Sequence, residues 1–211
     1  MLNKILNQMS WRKAVKSFDL DKKLTEDQVD CLVETARLAP TSYGLQPVKL
    51  YVVSDDEVKL QLFEAGYKQP QFSTASHVFV LTARTEISQE DVDEQIRRTS
   101  NQQSVEEDSL SIYRQALENN LMKLPEEKAH NWAARQAYIL LGMMMSTATQ
   151  INIDVSPMEG FSKEKVDKII GCSQEGYKSV VVLAAGFRDE KDSYLERPKV
   201  RKTKDEFVKY I

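Results

Sequence analysis

Apolar residues along the chain fall into blocks whose spacing switches between helical and extended. Leu2, Ile5, Leu6 and Met9 share one face of a helix over the first ten residues. Between residues 25 and 38, the repeat Val29, Leu32, Val33, Ala36 predicts a second helix, opened by Thr25 and Gln28 at capping-box spacing and closed by Pro40. The run Val48–Val53 is β-branched and aromatic and is bounded by Pro47 and Asp55, which predicts a strand. A helix over residues 57–65 leads through 66–71 to a second apolar run, 77–83, too short for a buried helix and so a strand. Residues 88–123 are polar, with scattered Val92, Ile96, Leu110, Ile112, Tyr113 and Leu117, and predict two exposed helices weakly joined near Gln102. Pro125 starts a long helix running to about Gln150. Trp132, Ala133, Tyr138, Leu141 and the three methionines 143–145 imply burial on most of its sides, at the centre of a domain or of a dimer interface. A loop over 156–161, a short helix over 162–170 and an unbroken apolar run over 179–186 follow; the last reads as a strand buried on both faces. A polar tail, 188–211, completes the pattern.

These elements predict an α/β or α+β fold around a mixed sheet. No G-x-G-x-x-G or Walker-type turn follows any strand, so neither a Rossmann nor a P-loop site is expected. The 211 residues contain no repeat, low-complexity segment or linker and are read as one domain spanning 1–211. Charge narrows the function classes. A formal net charge of -3 offers no broad attraction to nucleic acid or anionic lipid, so any basic pocket is local. Cys31 and Cys172 lack paired spacings and read as free thiols of a cytoplasmic protein, while His77 and His130 lie far apart without ligand-spaced partners, so no metal site is expected. The first ten residues lack a signal-peptide pattern. Residues 133–148 contain Arg135, Gln136, Ser146 and Thr147 and fall short of the roughly 20 apolar residues that cross a bilayer.

Four short segments carry candidate chemistry: residues 12–19 (RKAVKSFD), 39–47 (APTSYGLQP), 157–161 (PMEGF) and 198–201 (PKVR). Arg12 and Arg201 offer forked donors that suit phosphate oxygens, and Lys199 adds charge; taken alone, Lys199, Arg201, Lys202 and Lys204 would equally well be a solvated face. Lys16 follows Arg12 by four residues and shares its face if the segment is helical. Pro157 limits backbone freedom and Gly160 permits close approach to a flat ring, a pairing that a plain helix-starting loop would also explain.

In order and spacing the four segments resemble the nitroreductase family of flavin enzymes. The resemblance implies an α+β fold, with a mixed, mainly antiparallel sheet surrounded by helices and a long central helix. It further implies FMN as cofactor and NADH or NADPH as hydride donor. Small acceptors such as nitroaromatics, quinones or free flavins would be reduced by a ping-pong mechanism. In its light Arg12, Lys199 and Arg201 lie at the flavin's phosphate end, Lys13 and Ala14 also belong to the flavin site, and Lys16 supports catalysis at the N1 and O2 edge, where charge gathers on reduction. Pro157, Met158, Glu159 and Gly160 form a turn whose backbone N–H addresses N5. Pro40, Thr41, Ser42 and Gly44 meet a flavin bound mainly by the other subunit, which implies a homodimer with shared sites. Gln69 or Gln71 faces the pyrimidine edge. Ala14 stands where relatives often have Ser, and Gly44 where many have Asn, so two polar contacts are in doubt. The alternative reading is a non-catalytic flavin-binding or storage protein on the same fold.

Overall fold

The hydroxyl of Thr25 accepts from the Gln28 backbone N–H, and the Gln28 side chain caps Thr25 in return, so the second helix begins where its capping box places it. The computed structural model describes residues 2–211. Its elements in order are α1 (Leu2–Trp11), α2 (Glu26–Arg37), β1 (Val48–Val53), α3 (Asp56–Ala65), α4 (Pro70–Thr74), β2 (His77–Arg84), α5 (Gln89–Gln103), α6 (Ser111–Leu117), α7 (Glu126–Gln150), β3 (Asp154–Met158), α8 (Lys163–Ile170), β4 (Tyr177–Gly186) and α9 (Lys204–Phe207).

The strands form one sheet in the order β1-β2-β4-β3, antiparallel in all three pairings. Alternation along the two inner strands divides the core. Phe79, Leu81, Val181, Leu183 and Ala185 face Ala133, Ala137, Leu140 and Met144 of α7, backed by Leu32 and Ala36 of α2. Val78, Val80, Val182 and Ala184 face the other way, onto Leu62, Phe72 and Val166 of α3, α4 and α8. The unbroken apolar run of β4 follows from this double cover. Among the described residues no helix is long and apolar enough to cross a membrane.

Three expectations change. Residues 156–158 are not loop but the end of β3; this is an edge strand, where a proline that cannot donate to the ladder is tolerated. Residues 12–18 are not helical, so Arg12 and Lys16 do not share a helix face. The region 88–123 is less exposed than its polarity suggests. Val92 and Ile96 of α5 and Leu117 of α6 bury a small core of their own with Leu45, Ile87 and Leu121.

Candidate functional site

After the Arg12 N–H closes α1 on the Gln8 carbonyl at 3.0 Å, the following backbone donors go to distant parts of the chain. The Lys16 N–H reaches Asp192 Oδ2 at 2.6 Å, the Phe18 N–H reaches Thr74 Oγ1 at 3.1 Å, and the Asp19 N–H reaches the Phe187 carbonyl at 2.8 Å. Val15 and Phe18 enter the core beside Phe72, Met158 and Phe161, which leaves the intervening side chains facing outward. This threads the N-terminal segment between α4 and the C-terminal tail.

There both ends of the chain bring cations to one spot. Lys13 Nζ donates to the carbonyls of Leu195 and, at 3.0 Å, Arg197; Lys199 Nζ donates to the carbonyl of Met9. Burial and then the nearby Arg201 guanidinium hold Arg12 below the usual arginine range. Burial, followed by Arg12, Arg201 and Lys13, holds the Lys199 ammonium low in the same way. Among the described residues none of these four cations has a carboxylate within salt-bridge distance. Arg12 Nη1 is buried with no hydrogen-bond partner among the described residues. An unmatched buried donor costs about 1–3 kcal/mol, more when charged. A phosphate set among these side chains would satisfy Arg12 and relieve the mutual repulsion.

Beside this cluster the tail fixes Lys16. Asp192 is buried and accepts from the Lys16 N–H and, at 2.9 Å, the Tyr194 N–H, so one carboxylate clips two segments together. The Lys16 ammonium then lies 5.1 Å from the Tyr194 ring centroid, and the Arg197 guanidinium lies 4.0 Å from the same ring.

The residues after β3 are braced from two directions. Met158 is buried, while Glu159 and Gly160 emerge at the surface. Tyr138 of α7 donates to Glu159 Oε1 at 2.6 Å; burial and this bond push its hydroxyl up to about 12. Gln69 Nε2 donates to the carbonyls of Gly160 and, at 2.9 Å, Gly66. A Cβ at Gly160 would lie 3.4 Å from that same nitrogen, so the missing side chain permits the clamp. Gln69 is committed to the turn, whereas Gln71 is 2% exposed with Oε1 unpartnered. Tyr67 and Lys68, with φ of 55° and 58°, hold left-handed conformations that turn the chain into α4.

The loop over residues 40–47 is fastened elsewhere. The Ser42 N–H reaches the buried Gln136 Oε1 of α7 at 2.9 Å, the Gln46 N–H reaches Thr41 Oγ1 at 3.0 Å, and Gln46 Nε2 reaches the Arg37 carbonyl at 2.8 Å. Tyr113 of α6 donates to the Tyr43 carbonyl, which restrains a residue whose φ is 57°. None of these bonds reaches residues 12–16 or 157–160. Within one chain, therefore, three of the four segments are joined, and the one carrying Pro40, Thr41, Ser42 and Gly44 stands apart on α7. Sequence spacing did not single out Asp192, Tyr194, Gln136 or the Tyr138–Glu159 bond. Each acts across a long stretch of chain, and only the fold creates the pairing.

Residues 9–187 match the family model described as Nitroreductase family. The Bacillus subtilis protein YfkO, named as a candidate NAD(P)H nitroreductase, is 34% identical over 98% of this chain and 97% of its own length. A Staphylococcus epidermidis structure, named as a candidate NAD(P)H:FMN oxidoreductase, superposes with a TM-score of 0.83 at 26% identity, covering 100% of this chain and 96% of that one. A candidate nitroreductase from Exiguobacterium sibiricum, solved in complex with FMN, shares the fold with a TM-score of 0.82 at 19% identity, over 98% and 97% of the two chains.

Proposed function

This chain belongs to the nitroreductase family, and from that premise we propose that it holds FMN and carries hydride equivalents from NADH or NADPH to small electron-poor acceptors such as nitroaromatics or quinones. The observation that carries the reading is the buried, unpartnered Arg12 Nη1 inside a junction of four cations drawn from both ends of the chain. A doubly charged phosphate matches that junction in sign, and the arginine forks match it in shape.

When bound, the flavin supplies a ring that accepts and returns hydride at N5; the protein supplies position and charge. Arg12, Lys13, Lys199 and Arg201 hold the phosphate end, with Ala14 offering no hydroxyl there. Lys16, steadied by Asp192 and Tyr194, places a cation where negative charge accumulates on reduction. Gln71 offers its free carbonyl to a donor on the pyrimidine edge. Pro157, Met158, Glu159 and Gly160 form a turn that Tyr138 and Gln69 hold still, from which the backbone N–H of Glu159 or Gly160 addresses N5. The loop over residues 40–47 completes the site of a second copy, so the working unit is a homodimer with shared sites. Donor and acceptor use the same space in turn, which gives ping-pong kinetics.

The purified protein should be yellow, and anaerobic NADH or NADPH should bleach it. Yellow protein that neither nucleotide bleaches would instead support flavin storage. Protein that cannot be reconstituted with FMN would overturn the proposal.

A further inference from the structure

A cavity of about 470 Å³ lies between Tyr43, the Asn120–Leu124 turn and the first half of α7, where Lys128, Asn131, Trp132 and Arg135 line it. The flavin reading leaves it unused. Lys128, Asn131 and Arg135 follow at helical spacings of three and four, so they form a ladder on one face. Tyr138 continues that face, and its hydroxyl bonds Glu159. At about 1.5 Å of rise per residue the ladder runs roughly 15 Å from Lys128 to Tyr138. The cavity therefore adjoins the 40–47 loop through Tyr43, and the ladder that lines it leads on along α7 to Tyr138, which bonds the turn after β3.

Charge is the second observation. Arg37, Arg84, Arg98, Arg114 and Arg188 all pair with carboxylates. Arg12 and Arg201 lie in the four-cation junction, Arg197 stacks on Tyr194, and Arg97 acts on Asp93. Among the described residues neither Arg135 nor Lys128 has a carboxylate within salt-bridge distance or a hydrogen bond from its side chain, although both line the cavity. Two free cations, two amides and the rings of Tyr43 and Trp132 make a site for a ligand that is both phosphorylated and aromatic.

We propose that this cavity receives the adenosine end of the reduced dinucleotide, with Lys128 and Arg135 holding a phosphate of that end while the nicotinamide reaches the flavin. The assignment rests on the function proposed above and adds where the donor's charge is recognised. Both residues determine donor specificity and leave flavin binding alone.

The test uses the full-length flavoprotein and its Lys128→Gln, Arg135→Gln and double variants. Each single change should raise the KM for NADPH roughly tenfold, with flavin content and reduction by dithionite unchanged. A rise confined to NADPH identifies the 2′-phosphate as the group held; an equal rise for NADH identifies the pyrophosphate. Adenosine 2′,5′-bisphosphate should alter Trp132 fluorescence in the parent protein and not in the double variant. If the parent is bleached by dinucleotide while the variants keep its KM values, this site is overturned and the proposed function stands. If no dinucleotide bleaches the parent, both fall.

Discussion

At the scale of single residues, the site is a set of groups left deliberately incomplete. Arg12 and Gln71 each bury a polar atom without a partner, in a chain where the neighbouring Gln69 uses its amide nitrogen twice. A buried orphan is costly in a structure that must also fold without ligand, and the proposed flavin would supply the partner that each of these atoms lacks. Arg201 is exposed and, among the described residues, only its own chain neighbour's carbonyl accepts from it, so its guanidinium is available to an anion. Arg201→Ala should weaken FMN retention by about tenfold at moderate salt, the loss of one charge-assisted bond. Equilibrium dialysis checks this, and unchanged retention would remove Arg201 from the phosphate end.

At the scale of elements, the site depends on how α3 hands the chain to α4. Gly66 ends α3 against the ring of Phe72, and a Cβ there would lie 2.1 Å from that ring's Cε2. Phe72 is fully buried. Gly66→Ala should therefore displace α4 and loosen the Gln69 clamp on Gly160. Overpacking of this kind costs about 1–3 kcal/mol, and each kcal/mol lowers Tm by about 2–4 °C in a chain of this size. Thermal denaturation measures it; an unchanged Tm would show that Phe72 yields. The elements themselves were largely legible. Thr25 with Gln28 marked the start of α2, and the apolar run of β4 announced a doubly covered strand, because capping and burial leave local patterns. The end of β3 was not legible: Pro157 signals loop by propensity, and only its place on a sheet edge makes it a strand residue. α4, five residues long, shows too little periodicity to be read.

At the scale of the whole molecule, three of the four segments meet within one chain, and the proposed function assigns the fourth to the site of a second copy. The loop of Thr41 and Ser42 is tied to Gln136 on α7, away from Arg12 and Gly160. Apolar side chains meanwhile face outward: Leu2 and Leu6 on α1, Ile139 on α7, and Phe207 and Tyr210 in the tail. An interface between copies would cover exposed apolar side chains such as these. Light scattering should give twice the 24.2 kDa mass of one chain. A monomer that still holds FMN would show that the loop is dispensable. Here sequence reading recovered the four segments and their resemblance, but not which of them meet within a chain. Convergence of residues 12 and 201 is a property of the threaded fold and has no local signature.

The function proposed above has the meeting of the two chain ends recognise a phosphate. Titrating the flavin-free protein with FMN and with riboflavin, which differ only in that group, tests it directly. FMN should bind at least about a hundredfold more tightly, as two or more charge-assisted bonds require, with the preference collapsing as salt is raised. Equal affinity for the two flavins would remove the phosphate from this junction.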